Sequence, residues 1–154
     1  MKQIASFCVN HDYLEKGMYV SRIDGDVVTY DVRMAKPNCG VYPSNPVLHT
    51  LEHLLATYAR NSRWSDQVVY VGPMGCRTGF FILVRDSLSN TQALELVKES
   101  LAWARDFQGM VPGTASSAEC GNYLEHDLAG AKVLAADMLD VLKDWRAEDM
   151  AYRP

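Results

Sequence analysis

The sequence predicts an α+β fold, a mainly antiparallel sheet covered by about three helices in one domain spanning residues 1–154. Three observations carry this. Short β-rich runs come in pairs joined by tight turns, three stretches repeat apolar residues at helical spacing, and no linker, internal repeat or low-complexity tract interrupts them. The order is strands, helix, strands, helix, loop, helix. A chain of this length buries about 70% of its unfolded surface. Its 48% hydrophobic and 22% charged residues suit such a domain.

The elements follow in order. "MYVSRIDGDVVTYDVRM" (Met18–Met34) holds two β-rich runs around Asp24-Gly25-Asp26, a hairpin signal. "KPNCGVYPSNP" (Lys36–Pro46) is loop, because its three prolines stop any regular element. A helix then starts, with Ser44 or Asn45 as N-cap, Pro46 at the first helical position, and a stripe of Leu48, Leu51, Leu54 and Leu55. It runs to Arg60, where "NSRWSD" ends it. Strands at Gln67–Val71 and Thr78–Val84 are joined by "GPMGCR". A second helix begins near Ser89, where Gln92 completes a capping box, and turns Leu94, Val97, Leu101 and Ala104 inward. Gly109–Asn122 reads as a loop of glycine and small polar residues. The last helix is expected from about Glu125 to Trp145, with Leu128, Ala131, Leu134, Ala135, Met138 and Leu142 facing the core.

Charge and hydropathy narrow the function classes. A net charge of −4 offers no basic patch for nucleic acid. No apolar run approaches the roughly 20 residues that cross a bilayer; the densest, "FFILV" at Phe80–Val84, is strand-sized. The N-terminus lacks an unbroken apolar core of signal-peptide length, so a cytoplasmic location is expected. The four cysteines Cys8, Cys39, Cys76 and Cys120 form no C-x-x-C pair, which argues against a zinc knuckle.

The chemistry concentrates in "VLHTLEHLLATYAR" (Val47–Arg60). On a helix, i and i+4 lie about 40° apart and i+3 about 60° to the other side. His49 and His53 can therefore grip one cation with Glu52 beside them, in the H-x-x-E-H order of inverted metalloenzyme motifs. That allows a metal site on the first long helix, against the plainer reading of His49 and His53 as ordinary, partly buried histidines of an amphipathic helix. A catalytic site takes three protein ligands and leaves a position open; Cys76, Cys120 and His126 are the candidates for the third. A cysteine near a cation and an arginine has its thiolate favoured, which suits Cys76 as base or nucleophile. Cys8 and Cys39 read as buried small hydrophobes, and His126 as a residue capping or packing at the start of the last helix.

Five separated segments together resemble the S-ribosylhomocysteine lyase (LuxS) family, which makes the precursor of autoinducer-2. They are "SFCVNH" (Ser6–His11), "YDVRMAKPN" (Tyr30–Asn38), "HTLEHLLA" (His49–Ala56), "PMGCRTGFF" (Pro73–Phe81) and "ECGNYLEHDLAGAK" (Glu119–Lys132), in family order. The resemblance implies cleavage of the thioether of S-ribosylhomocysteine to homocysteine and 4,5-dihydroxy-2,3-pentanedione. It implies His49, His53 and Cys120 as ligands of one divalent ion per subunit, Fe(2+) or Zn(2+). Cys76 and Glu52 would be the acid–base residues, and Ser6, His11 and Arg33 the substrate contacts, in a homodimer with interfacial active sites. Tyr70 and Gly72 stand where many members carry an acidic residue and a serine. Two rival readings remain: a small metallohydrolase in which Glu52 activates zinc-bound water, and a non-catalytic metal-binding relative. Against the role for Arg33 stands the reading of a sheet-edge surface arginine.

Overall fold

The computed structural model describes residues 2–4 and 7–153. Four strands form one sheet in the order β1-β2-β4-β3, with β1 at Gly17–Asp24, β2 at Val27–Arg33, β3 at Val68–Pro73 and β4 at Gly79–Arg85. All three pairings are antiparallel. Asp24 pairs with Val27, so Gly25 and Asp26 make a two-residue turn. Gly25 sits at φ +60°, where a side chain would be strained.

Three helices pack on one face: α1 (Asn45–Asn61), α2 (Asn90–Asp106) and α3 (Leu128–Leu142). The period-two alternation of β2 explains the layering. Val28, Tyr30 and Val32 join the core, as do Phe80, Ile82 and Val84 of β4. The α1 stripe meets them, with Leu51 and Leu54 fully buried; truncating either to alanine costs about 2–5 kcal/mol. Ser89 and Gln92 form both arms of the capping box on α2, as its sequence signals. Ser44 is the N-cap of α1 but its side chain makes no cap bond.

Three details differ from the sequence reading. The last helix begins at Leu128 and ends at Leu142, because Asp127 accepts from the Gly130 N–H and so caps it there. His126 therefore lies outside the helix and does not cap it. Cys8 and Cys39 are exposed, not buried, since both lie in irregular segments with no core-facing periodicity.

Beyond α3 the chain turns back along β1. Trp145 Nε1 donates to Met18 O at 2.9 Å, and Met150 O accepts from Val20 N at 2.9 Å. Tyr152 of this tail reaches Asp31 on the sheet face opposite the helices, where Thr29, Asp31 and Arg33 of β2 are all buried. Among the described residues, no helix is long and apolar enough to cross a membrane.

Candidate metal centre and thiol site

His49 and His53 project from α1 with ring centroids 4.7 Å apart. Each ring is oriented by a backbone carbonyl: His49 Nδ1 lies 2.9 Å from Glu125 O, and His53 Nδ1 lies 2.7 Å from Pro112 O. A carbonyl only accepts, so each Nδ1 carries the proton and each Nε2 keeps a lone pair. This is the outer-sphere arrangement that prepares imidazoles to bind a metal. Gly113, at φ +75°, lets the 112–113 backbone pass close to the His53 ring.

Cys120 Sγ lies 3.3 Å from His49 Nε2. Two such donors sharing a tetrahedral zinc-sized ion would stand about 3.6 Å apart. His126 completes the group: one donor atom from each of His49, His53, Cys120 and His126 lies within 4.8 Å of all the others. Thr50 fixes the His126 ring. Its hydroxyl donates to Pro46 O at 2.8 Å and accepts from Asp127 N at 2.9 Å, so the His126 Nδ1 at 3.0 Å is the donor of that pair. His126 Nε2 is then a bare lone pair, buried and without a partner. Burial above all pushes the His126 imidazole below its ordinary pKa. A buried lone pair beside two others and a sulfur is what an ion would satisfy. These donors fit a divalent metal, and they include no carboxylate, which a peptidase built on the inverted motif uses as third ligand.

The second cluster sits where β2 meets the β3–β4 turn. Arg33 and Asp31 pair on β2, with Nη2 to Oδ2 at 2.5 Å and Nε to Oδ1 at 3.1 Å. Arg33 is only 4% exposed, so it is not the surface arginine of the rival reading. Its Nη1 donates to Thr78 Oγ1 at 2.6 Å, and Thr78 Oγ1 lies 3.0 Å from Cys76 Sγ. Having accepted from Arg33, the threonine hydroxyl can donate to sulfur. Burial pushes the Cys76 thiol up, but hydrogen bonds from the Thr78 hydroxyl and the Thr78 and Cys76 backbone, with the Arg33 charge, outweigh it. The thiol lies below its ordinary range.

Both clusters open on cavities that share the turn. One of about 280 Å³ is lined by His11, Arg33 and Cys76 together with Met74 and Gly75. Another of about 320 Å³ is lined by His49, Glu52, Arg77 and Glu125, again with Met74 and Gly75. The turn carrying Cys76 is the wall between them. His11 Nδ1 lies 2.8 Å from Val9 O. Ser6 lies outside the described residues. Tyr70 and Gly72 form a matched pair, since a Cβ at position 72 would collide with the Tyr70 phenol. Sequence reasoning missed Thr50, Thr78 and Asp31. Thr78 stands in the quoted "PMGCRTGFF" and Asp31 in "YDVRMAKPN", so only their distances to Cys76 and Arg33 reveal what they do.

The family model S-Ribosylhomocysteinase (LuxS) matches residues 4–149. An S-ribosylhomocysteine lyase of Phocaeicola vulgatus is 45% identical, with 100% of this chain and 98% of the relative covered. Those of Clostridium beijerinckii and Porphyromonas gingivalis are 41% and 44% identical; the matches cover 99% and 100% of this chain and 99% of each relative. The chain belongs to the S-ribosylhomocysteinase (LuxS) family.

Proposed function

We propose that this protein is an S-ribosylhomocysteine lyase, a metal-dependent carbon–sulfur lyase that releases homocysteine and 4,5-dihydroxy-2,3-pentanedione. The observation that carries the reading is the pairing of a His-His-Cys-His donor group with a polarised thiol across one turn. His49, His53 and Cys120 are the ligands we assign, which leaves a position free for substrate; His126 is the group's remaining donor. The ion is Fe(2+) or Zn(2+), both suited to imidazole and thiolate.

The chemistry explains why these residues are needed. A thioether sulfur on an unactivated carbon is a poor leaving group, so the carbonyl of the sugar chain first migrates by two isomerisations until it acidifies the carbon next to C–S. When bound, the ion supplies Lewis-acid polarisation worth several kcal/mol. Cys76, whose thiolate form Thr78 and Arg33 favour, removes a carbon-bound proton and returns it to the neighbouring carbon. Glu52, on α1 across the turn, serves as the second acid–base group. In the final step a proton leaves the carbon adjacent to the carbonyl, the C–S electron pair goes to sulfur, and homocysteine departs. Groups placed in this way contribute typically 10²–10⁴-fold each. Ser6, His11 and Arg33 hold the substrate, and His11 and Arg33 line the cavity into which Cys76 opens.

A homodimer with interfacial active sites, in the cytoplasm, completes the reading. The exposed Ile4, Phe7 and Tyr13, flanking the segment that reaches the Cys76 cavity, suit a site finished by a second copy. The resulting product is the autoinducer-2 precursor, which fits a role in quorum sensing or homocysteine recycling. The test is direct: anaerobically purified protein is mixed with S-ribosylhomocysteine and free thiol is followed. Thiol release is expected; silence accompanied by peptide cleavage would favour the metallohydrolase and overturn the proposal.

A further inference from the structure

Asp31 is 1% exposed, yet one of its carboxylate oxygens serves two donors. Oδ2 accepts from Arg33 Nη2 at 2.5 Å and from the hydroxyl of Tyr152 at 2.8 Å. An aspartate and an arginine two residues apart on one strand would neutralise each other, leaving little positive field for anything beyond. The tyrosine proton draws charge off the very oxygen that holds the guanidinium. The free arm of Arg33 then reaches Thr78, and Thr78 reaches Cys76.

Tyr152 is held in this position by the returning tail. The Trp145 and Met150 bonds to β1 fix the chain, and the Tyr152 ring stacks on Tyr19 with centroids 5.1 Å apart and planes 19° from parallel. Burial, reinforced by the Asp31 charge, pushes the phenol well above its ordinary pKa, so it remains a donor. Tyr152 also lines the Cys76 cavity. It stands beyond residue 149, where the match to the family model stops.

We propose that Tyr152 is a positioning residue for the reaction: its hydroxyl fixes the Asp31–Arg33 pair so that Arg33 keeps the Thr78 hydroxyl directed at Cys76 Sγ. Its kinetic consequence rests on the lyase reading; its consequence for the thiol does not. Among the described residues, the charged and titratable groups beside Cys76 in its cavity are Asp31 and Arg33 from β2, His11 from the N-terminal segment and Tyr152 from the tail; His49 and Glu52 from α1, Arg77 from the turn and Glu125 line the neighbouring cavity.

The experiment compares wild type, Tyr152→Phe and Tyr19→Phe, the last losing a tail-side hydroxyl that donates to Glu15 O. Iodoacetamide modification of Cys76 is followed against pH, resolved from Cys8, Cys39 and Cys120 by peptide mass spectrometry, alongside thiol release and metal content. Tyr152→Phe is expected to shift the Cys76 profile to higher pH, with modification at pH 7 slowed about threefold, on the order of half a pH unit. It lowers kcat by a similar factor with KM and metal content little changed, while Tyr19→Phe leaves the profile in place. An unshifted profile in Tyr152→Phe, or an equal shift in Tyr19→Phe, overturns the assignment. A shifted profile in a protein that releases no thiol from S-ribosylhomocysteine upholds it and overturns the lyase reading instead.

Discussion

Replacing Thr50 with valine keeps the side-chain volume and removes one hydroxyl from the hinge between α1 and the 125–127 segment. That oxygen is fully buried and serves three groups: Pro46 O, Asp127 N and His126 Nδ1. The Pro46 carbonyl remains inside the helix, but the other two are donors that lose their acceptor. Leaving a buried donor unpaired costs about 1–3 kcal/mol. Asp127 and His126 are only half-buried, so the lower end applies and the sum is about 2 kcal/mol. For a domain near this size each kcal/mol moves Tm by about 2–4 °C, giving a fall of about 4–8 °C.

The same change reaches the metal centre, because Glu125 O orients His49 from the segment that Thr50 pins. Loss of an outer-sphere partner costs 10–100-fold in metal affinity, and Thr50 acts one step further out, so about tenfold is expected. Thermal unfolding of the metal-free protein gives the first figure, and competition with a chromophoric chelator gives the second. Thr50→Ser retains the hydroxyl and should restore both. A Thr50→Val protein matching wild type in Tm and chelator competition would refute the reasoning.

Four further outcomes are expected. Cys76→Ala should reduce thiol release at least 10²-fold with metal content unchanged, as read by elemental analysis; metal loss would mean base and ligand had been confused. Glu52→Gln should likewise retain its metal and lose turnover, and a wild-type rate would remove its role. Cys120→Ala should release the ion, whereas His126→Ala should keep it; the opposite pattern would make His126 the third ligand. Thr78→Val should raise the Cys76 pKa toward the ordinary thiol value, seen as slower alkylation at neutral pH. The folded-state thiol is lowered, so its contribution to stability is present above the unfolded thiol pKa and fades as pH falls through the folded value. Thr78→Val should flatten that part of the stability–pH curve.

How much was legible depended on how local the signal was. The helix bearing His49, Glu52 and His53 could be read because its cap, proline and leucine stripe all lie within seventeen residues. Cys120 is 71 positions from His49, and only its resemblance to a family segment joined them before the fold did. Of the readings for His126, capping fails, because the cap is Asp127 one residue on, while its place beside the helix start and among the candidate donors holds. Arg33 looked ambiguous for a physical reason: a strand alternating apolar and charged residues normally shows its charged face to water. Here Tyr152 of the tail beyond α3 reaches Asp31 on that face, and no local pattern in Ala147–Arg153 announces it. The exposure of Cys8 and Cys39 was equally hidden, since a cysteine in a loop gives no period by which to judge its direction.

The donor group and the thiol must act together on one substrate. The most direct measurement is the rate of thiol release from S-ribosylhomocysteine as metal-free protein is titrated with Fe(2+) under anaerobic conditions. The rate should rise in proportion to bound metal and break at one ion per chain. Release at full rate from the metal-free protein, or none from the fully loaded one, would contradict it.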